Sequence, residues 1–215
     1  MDVIEAIRTT GACRYFKPDP VPDEVLERLF DAARHGPQGG NRQPVRYIVV
    51  RDPEIKRQLA DWYREIWKSV VDMASRGEYR VGRGAGPMLG AGTHMAEHLA
   101  EVPVLVVVCA VLDDLARTDA GLDRPGVVGG ASIYPSVQNL LLAAHNEGLG
   151  GVVTTLLCAV EPQVKELLAI PSEMITCATI PIGYPERGFP KKLARGPVSE
   201  MVFRDRYGER LFSAP

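Results

Sequence analysis

Two basic stretches at opposite ends of the chain hold the side chains best suited to an anionic ligand. Arg14 follows a short helical segment and the turn-like run Thr9-Thr10-Gly11-Ala12-Cys13, while Lys191, Lys192 and Arg195 lie in the loop from Phe189 to Pro197. A guanidinium group donates paired, charge-assisted hydrogen bonds from a fixed fork, a geometry that suits phosphate. Two such loops closing on one phosphate is one reading of this pattern, and solvated surface charge is the other. A second candidate is the amide-rich loop Gln38-Gly39-Gly40-Asn41-Arg42-Gln43. Backbone groups freed by its glycines and the side-chain amides of Asn41 and Gln43 can donate to and accept from a planar heterocycle, or serve ordinary turn chemistry. A third is Val153-Thr154-Thr155, at the end of a strand, where an open sheet often presents groups to a ligand.

Other chemistries find little support. His94 and His98 are an i,i+4 pair, but no third metal ligand accompanies them, and a surface or core role is expected. There is no G-x-S-x-G elbow, Walker loop or H-E-x-x-H, so nothing points to hydrolysis. Cys13, Cys109, Cys158 and Cys177 are widely spaced and form no C-x-x-C pair, so free thiols are expected. Gly82-x-Gly84-x-Gly86 superficially matches a dinucleotide fingerprint, yet it follows no strand and contains Pro87, which argues against a Rossmann unit.

The elements that must position these groups follow from periodicity. Helices are expected at Asp2 to Arg8, Asp23 to His35, Asp52 to about Ala74, Gly130 to Glu147 and about Glu161 to Leu168. Strands are expected at Val45 to Arg51, Val104 to Val111, Gly151 to Thr155 and Ile175 to Gly183. Val104 to Val111 is apolar throughout, which predicts a central strand covered on both faces. Arg76 to Thr93 and Asp113 to Gly129 are rich in glycine or lack apolar periodicity, and read as long loops, the first as a mobile loop or lid. Strands separated by helices predict a sheet with helices packed on it.

Composition bounds the rest. The 215 residues carry 25 basic and 27 acidic side chains, a net charge of −2 that gives no overall reason to bind nucleic acid or an anionic membrane. A folded monomer of 23.5 kDa is expected to expose about 9,800 Å². The longest apolar run is far shorter than a membrane span and the acidic start lacks a basic n-region, so a cytoplasmic protein is expected. Twenty-one glycines and seventeen prolines, clustered between periodic segments, predict many shaped loops on an ordered scaffold.

Five segments in order resemble the nitroreductase family of flavin mononucleotide (FMN) enzymes: Thr9 to Pro22, Gly36 to Val50, Gly130 to Leu140, Gly148 to Thr155 and Ile180 to Pro185. The resemblance spans nearly the whole chain, 1–215, as a single domain. It implies an α+β fold with a mixed central sheet wrapped by helices, in an intertwined homodimer with flavin at the subunit interface. It also implies an FMN-dependent oxidoreductase that takes hydride from NADH or NADPH by a ping-pong mechanism and reduces a small organic acceptor such as a nitroaromatic, quinone or enone. By the same resemblance the cofactor contacts are Thr10, Gly11, Ala12 and Arg14, then Gln38, Asn41 and Gln43, then Thr154 and Thr155, and finally Arg195. No side chain is implied as nucleophile or general base, and no metal. Thr10 stands where the family motif has its first Arg, Ala12 where it has Ser, Gln38 where it has Ser and Val45 where it has Trp. Weaker flavin binding, a deazaflavin, or a binding module without catalysis fits those departures, and a dehalogenase-like branch shares every segment.

Overall fold

The computed structural model describes residues 1–79 and 85–213. Four strands form one sheet in the order β1-β2-β4-β3: β1 (Val45–Val50), β2 (Val104–Val111), β3 (Gly150–Gly151) and β4 (Met174–Gly183). All three pairings are antiparallel, Val45 facing Ala110 on one side of β2 and Val104 facing Ile182 on the other. The mixed sheet implied by the resemblance is therefore corrected to an antiparallel one. Its parallel component is confined to one bridge, between Ala12 and Gly151. The strand expected at Gly151 to Thr155 is also shorter, because after Gly151 the chain leaves β4 and returns only at the Thr154–Thr179 bridge.

β2 is buried along Val104–Ala110, as its unbroken apolar run predicts. Val104, Val106, Val108 and Ala110 face α2 (Asp23–Arg34) and α5 (Tyr134–Asn146), while Leu105, Val107 and Cys109 face α3 (Pro53–Ser75) and α4 (Ala85–His98). Alternation with period two sends successive side chains into opposite layers, and each layer is closed by a helix whose apolar positions recur at helical spacing. In α2 these are Leu26, Leu29 and Ala33; in α3 they are Leu59, Ala60, Tyr63 and Val70. Asp52 caps α3, its carboxylate accepting from the N–H groups of Glu54 and Ile55, and Pro53 occupies the first turn. A methyl at Gly36 would lie 2.5 Å from the Ser136 backbone nitrogen, so glycine is what lets α2 end against α5.

Two expectations are overturned. The lid expected at Arg76 to Thr93 is helix α4 from Ala85 onward, and Gly82 and Gly84 lie outside the described residues. Gly92 is not a loop residue: a Cβ there would sit 2.4 Å from the Trp67 ring, and the Trp67 Nε1–H donates to Thr93 Oγ1 at 3.0 Å. The glycine allows α3 and α4 to approach. The helix expected at Asp2 to Arg8 forms as α1 (Val3–Thr9), but its apolar side faces outward, with Val3 61% and Ile7 50% exposed.

α6 (Glu161–Leu167) packs beneath β4. All four cysteines are free, and burial pushes the thiols of Cys109 and Cys177 up to about 11 and about 12, which keeps them protonated. Among the described residues no helix is long and apolar enough to cross a membrane, and no His, Cys, Asp or Glu cluster is arranged to hold a metal ion.

Candidate active site

The site begins at the sheet edge. Gly150 and Gly151 form β3, and a Cβ on Gly150 would lie 2.6 Å from the Cys13 Cβ and 2.7 Å from its Sγ. With no side chain there, the segment after α1 lies directly against the strand, and the Cys13 N–H donates to the Gly151 carbonyl at 3.0 Å. That contact fixes the next residue, Arg14, which borders a hollow of 200 Å³ shared with His94, Glu101 and Glu186 and stands between two more. One, of 220 Å³, is bounded by Arg14, Tyr63, Trp67, Val153, Thr154 and Thr155. The other, of 450 Å³, is bounded by Gly11 to Arg14 and by Arg187 to Pro190. Arg14 makes no ion pair among the described residues, so its guanidinium is available to a ligand.

The first hollow has a defined polarity. The Thr154 hydroxyl donates to the Tyr63 hydroxyl at 3.3 Å, which leaves the Tyr63 O–H for another acceptor. Burial pushes the Tyr63 hydroxyl above its ordinary value, opposed by the Thr154 bond and the nearby Arg14 charge. It stays protonated at neutral pH. Thr155 is exposed and borders both this hollow and a larger cleft of 630 Å³. The cleft is walled by the 112–130 segment and β4 and is mainly apolar, with Arg117 among its lining residues. Asp119, itself 5% exposed, organises the outer wall. Its carboxylate accepts from the N–H groups of Val127 at 2.8 Å and Val128 at 3.3 Å, and pairs with Arg124 at 2.9 Å. Those backbone bonds, the Val127 one foremost, hold it below the usual carboxylate range.

The second hollow is closed by the tail. The Leu193 N–H donates to the Arg8 carbonyl, the Glu186 N–H donates to the Tyr15 carbonyl, and a Cβ on Gly11 would meet the Pro190 ring at 2.8 Å. Phe189 stacks edge-on against His145, whose Nε2 lies 2.8 Å from Thr9 Oγ1.

Of the residues expected from the sequence, Gly11, Ala12, Arg14, Thr154 and Thr155 therefore gather around these two hollows. Thr10 lies beside them, its hydroxyl committed to the Ala6 carbonyl at 2.7 Å. Gln38, Asn41 and Gln43 stand elsewhere and border neither hollow. Their loop bends through positive φ at Gly40, Asn41 and Gln43, and the Gly39 N–H anchors it to Ser132 Oγ at 3.0 Å. The Gln38 Oε1 is buried without a hydrogen-bond partner among the described residues. Arg195 is exposed and donates to its neighbour's carbonyl, outside both hollows. Sequence reading missed Tyr63 and Trp67 on α3, and Arg187 in the tail. The Arg187-Gly188 pair in a Pro-rich loop is a signal of the same kind that singled out Lys191 and Lys192.

Residues 7–184 match the nitroreductase family. The chain belongs to this family. Membership makes it an oxidoreductase and places the five sequence segments on one scaffold. A relative from Methanothermobacter thermautotrophicus, whose name couples NADH dehydrogenase with NAD(P)H nitroreductase, is 30% identical over 190 residues, 86% of this chain and 78% of that protein. Iodotyrosine deiodinase 1 of Rattus norvegicus is 28% identical over 186 residues, 86% of this chain and 62% of that one. Among solved structures, oxidised iodotyrosine deiodinase bound to FMN and 3-iodo-L-tyrosine superposes with a TM-score of 0.72 at 25% identity, covering 95% of this chain and 99% of that chain.

Proposed function

We propose that this nitroreductase-family chain is an FMN-dependent NAD(P)H oxidoreductase that works as a homodimer and reduces a small organic acceptor by a ping-pong mechanism. The observation that carries the reading is the position of Arg14, an unpaired cation between a tail-closed hollow and an aromatic one that ends at Thr154 and Thr155. The residues fit the cofactor: a guanidinium suits its phosphate, and hydroxyls of Tyr63 and Thr155 suit the polar edge of a ring. When bound, FMN supplies the hydride and electron chemistry.

This chain's residues bind and orient. Arg14 holds the phosphate, with Thr10, Gly11 and Ala12 providing backbone around it, while Arg195 lies outside the tail-closed hollow within one chain. Thr154 fixes Tyr63, and Thr155 marks the passage from the ring site to the 630 Å³ cleft, which is the place for the acceptor. The Gln38, Asn41 and Gln43 loop completes the site from a second copy, because within one chain it borders neither Arg14 hollow. The exposed surface supports this. One chain exposes 12,808 Å², about 3,000 Å² more than expected for a monomer of this mass. Over two chains that surplus comes to about 6,000 Å², at or just beyond the upper end of obligate dimer interfaces, which bury ~2,000–5,000 Å² or more in total. Apolar side chains contribute to it at both ends, including Val3, Met201 and Phe212. Each chain is read as one domain, and the free cysteines suit the cytoplasm.

A second reading, reductive dehalogenation, is favoured by the likeness to the deiodinase structure. Steady-state turnover with a nitroaromatic, a quinone and a halogenated phenol, under nitrogen and in air, separates the two. Parallel double-reciprocal lines with the nitroaromatic or quinone are expected. Absence of NAD(P)H oxidation with every acceptor overturns the oxidoreductase reading.

A further inference from the structure

We infer that Arg187 is the second cation of the phosphate site, standing in for contacts that Thr10 and Ala12 do not supply. The inference rests on the FMN reading above and concerns one residue of the same site. Around the 450 Å³ hollow, Thr10 has its hydroxyl committed to the Ala6 carbonyl and Ala12 has none to offer. Besides Arg14, the only cationic side chain bordering that hollow among the described residues is Arg187. Its guanidinium carbon lies 3.4 Å from the centroid of the Tyr15 ring, and the opposite face of that ring stacks on His94 at 4.2 Å, 21° from parallel.

That stack is what makes an exposed arginine a binding residue. A guanidinium lying flat on an aromatic face keeps its N–H edge free and loses less freedom when it grips a ligand. Tyr15 is itself fixed: its carbonyl accepts from the Glu186 N–H at 3.0 Å and, next along the chain, the Lys17 N–H donates to the Tyr184 carbonyl at 2.8 Å. The ring thus holds Arg187 beside a hollow that Gly11, Ala12 and Cys13 also line. Arg187 makes no ion pair among the described residues, although Glu186 is its neighbour. Two guanidinium groups that border one hollow and make no ion pair among the described residues have the chemistry of a phosphate monoester site.

The test is equilibrium binding of FMN and of riboflavin, which lacks the phosphate, followed by quenching of flavin fluorescence in the full chain. Wild type should prefer FMN over riboflavin. Arg187→Ala should weaken FMN about tenfold or more, the size of a lost charge-assisted contact, and leave riboflavin unchanged. Arg187→Lys, which keeps the charge and loses the flat stacking surface, should fall between. An Arg187→Ala protein that keeps the wild-type preference for FMN overturns the inference while the FMN reading stands. A wild type that binds neither flavin overturns the FMN reading itself. Equal losses for FMN and riboflavin also overturn the inference, because they assign Arg187 to the tail's packing and not to the phosphate.

Discussion

Replacing Gly150 by Ala tests whether the sheet edge positions Arg14. The added methyl would lie 2.6 Å from the Cys13 Cβ and 2.7 Å from its Sγ, against a comfortable carbon separation of about 3.5–4.0 Å. Cys13 must therefore retreat by roughly 1 Å. That displacement strains the Cys13 N–H to Gly151 carbonyl bond, now 3.0 Å, and the Ala12–Gly151 bridge. Overpacking of this kind costs about 1–3 kcal/mol and a weakened backbone hydrogen bond about 1 kcal/mol, so a loss of roughly 2–4 kcal/mol is expected. For a chain of this length each kcal/mol shifts Tm by about 2–4 °C. Because Arg14 is the next residue, its phosphate contact should be lost as well, about 1.5–3 kcal/mol, or 10- to 150-fold in the Kd for FMN. Thermal unfolding and flavin-fluorescence titration read the two effects separately. Adding Cys13→Gly should restore much of both in the Gly150→Ala background, a favourable coupling where simple additivity gives none. A Gly150→Ala protein with unchanged Tm and unchanged FMN affinity would refute the reasoning.

Further outcomes follow from other contacts. Thr154→Val removes the hydroxyl that donates to Tyr63 and should cost about 1 kcal/mol in urea unfolding; an equally stable variant argues against that bond. His94 and His145 are both held below the usual histidine value, by burial first, so the fold favours their neutral forms. That stability is fully present above the unfolded value near ~6.5 and is lost as the pH falls from there through the folded values. A Tm that does not decline between about pH 7.5 and pH 5 contradicts this. Asp119→Ala frees the N–H groups of Val127 and Val128, so limited proteolysis should cut the 119–128 loop faster than in wild type. Light scattering should give about twice the 23.5 kDa chain mass, and a species at the single-chain mass removes the second copy from the site.

The layers of the fold were legible because each follows one period. The unbroken apolar run of β2 gave a strand buried on both faces, and Leu26, Leu29 and Ala33 of α2 and Leu59 and Val70 of α3 gave helices with one inward face. Strand direction was not, since period-two burial is the same in either sense. Glycine was the least legible residue. Gly92 permits Trp67 to pack and Gly150 permits Cys13 to pack, but in the sequence one falls in an expected loop and the other just before an expected strand. In the proposed site, Arg14, Thr154 and Thr155 stood out in the sequence because their polar chemistry is local, and the structure groups them around one hollow. The site was illegible where a residue's role depends on a distant partner: Arg187 gains its fixed position only from Tyr15 and His94.

The most direct test is the visible spectrum of the purified chain, supplied with FMN if it purifies without it, during anaerobic addition of NADH or NADPH. The account predicts flavin absorbance bands that bleach on addition of one or both nicotinamides and return when an acceptor is added. A protein that retains no added FMN, or whose bound FMN neither nicotinamide bleaches, would contradict it.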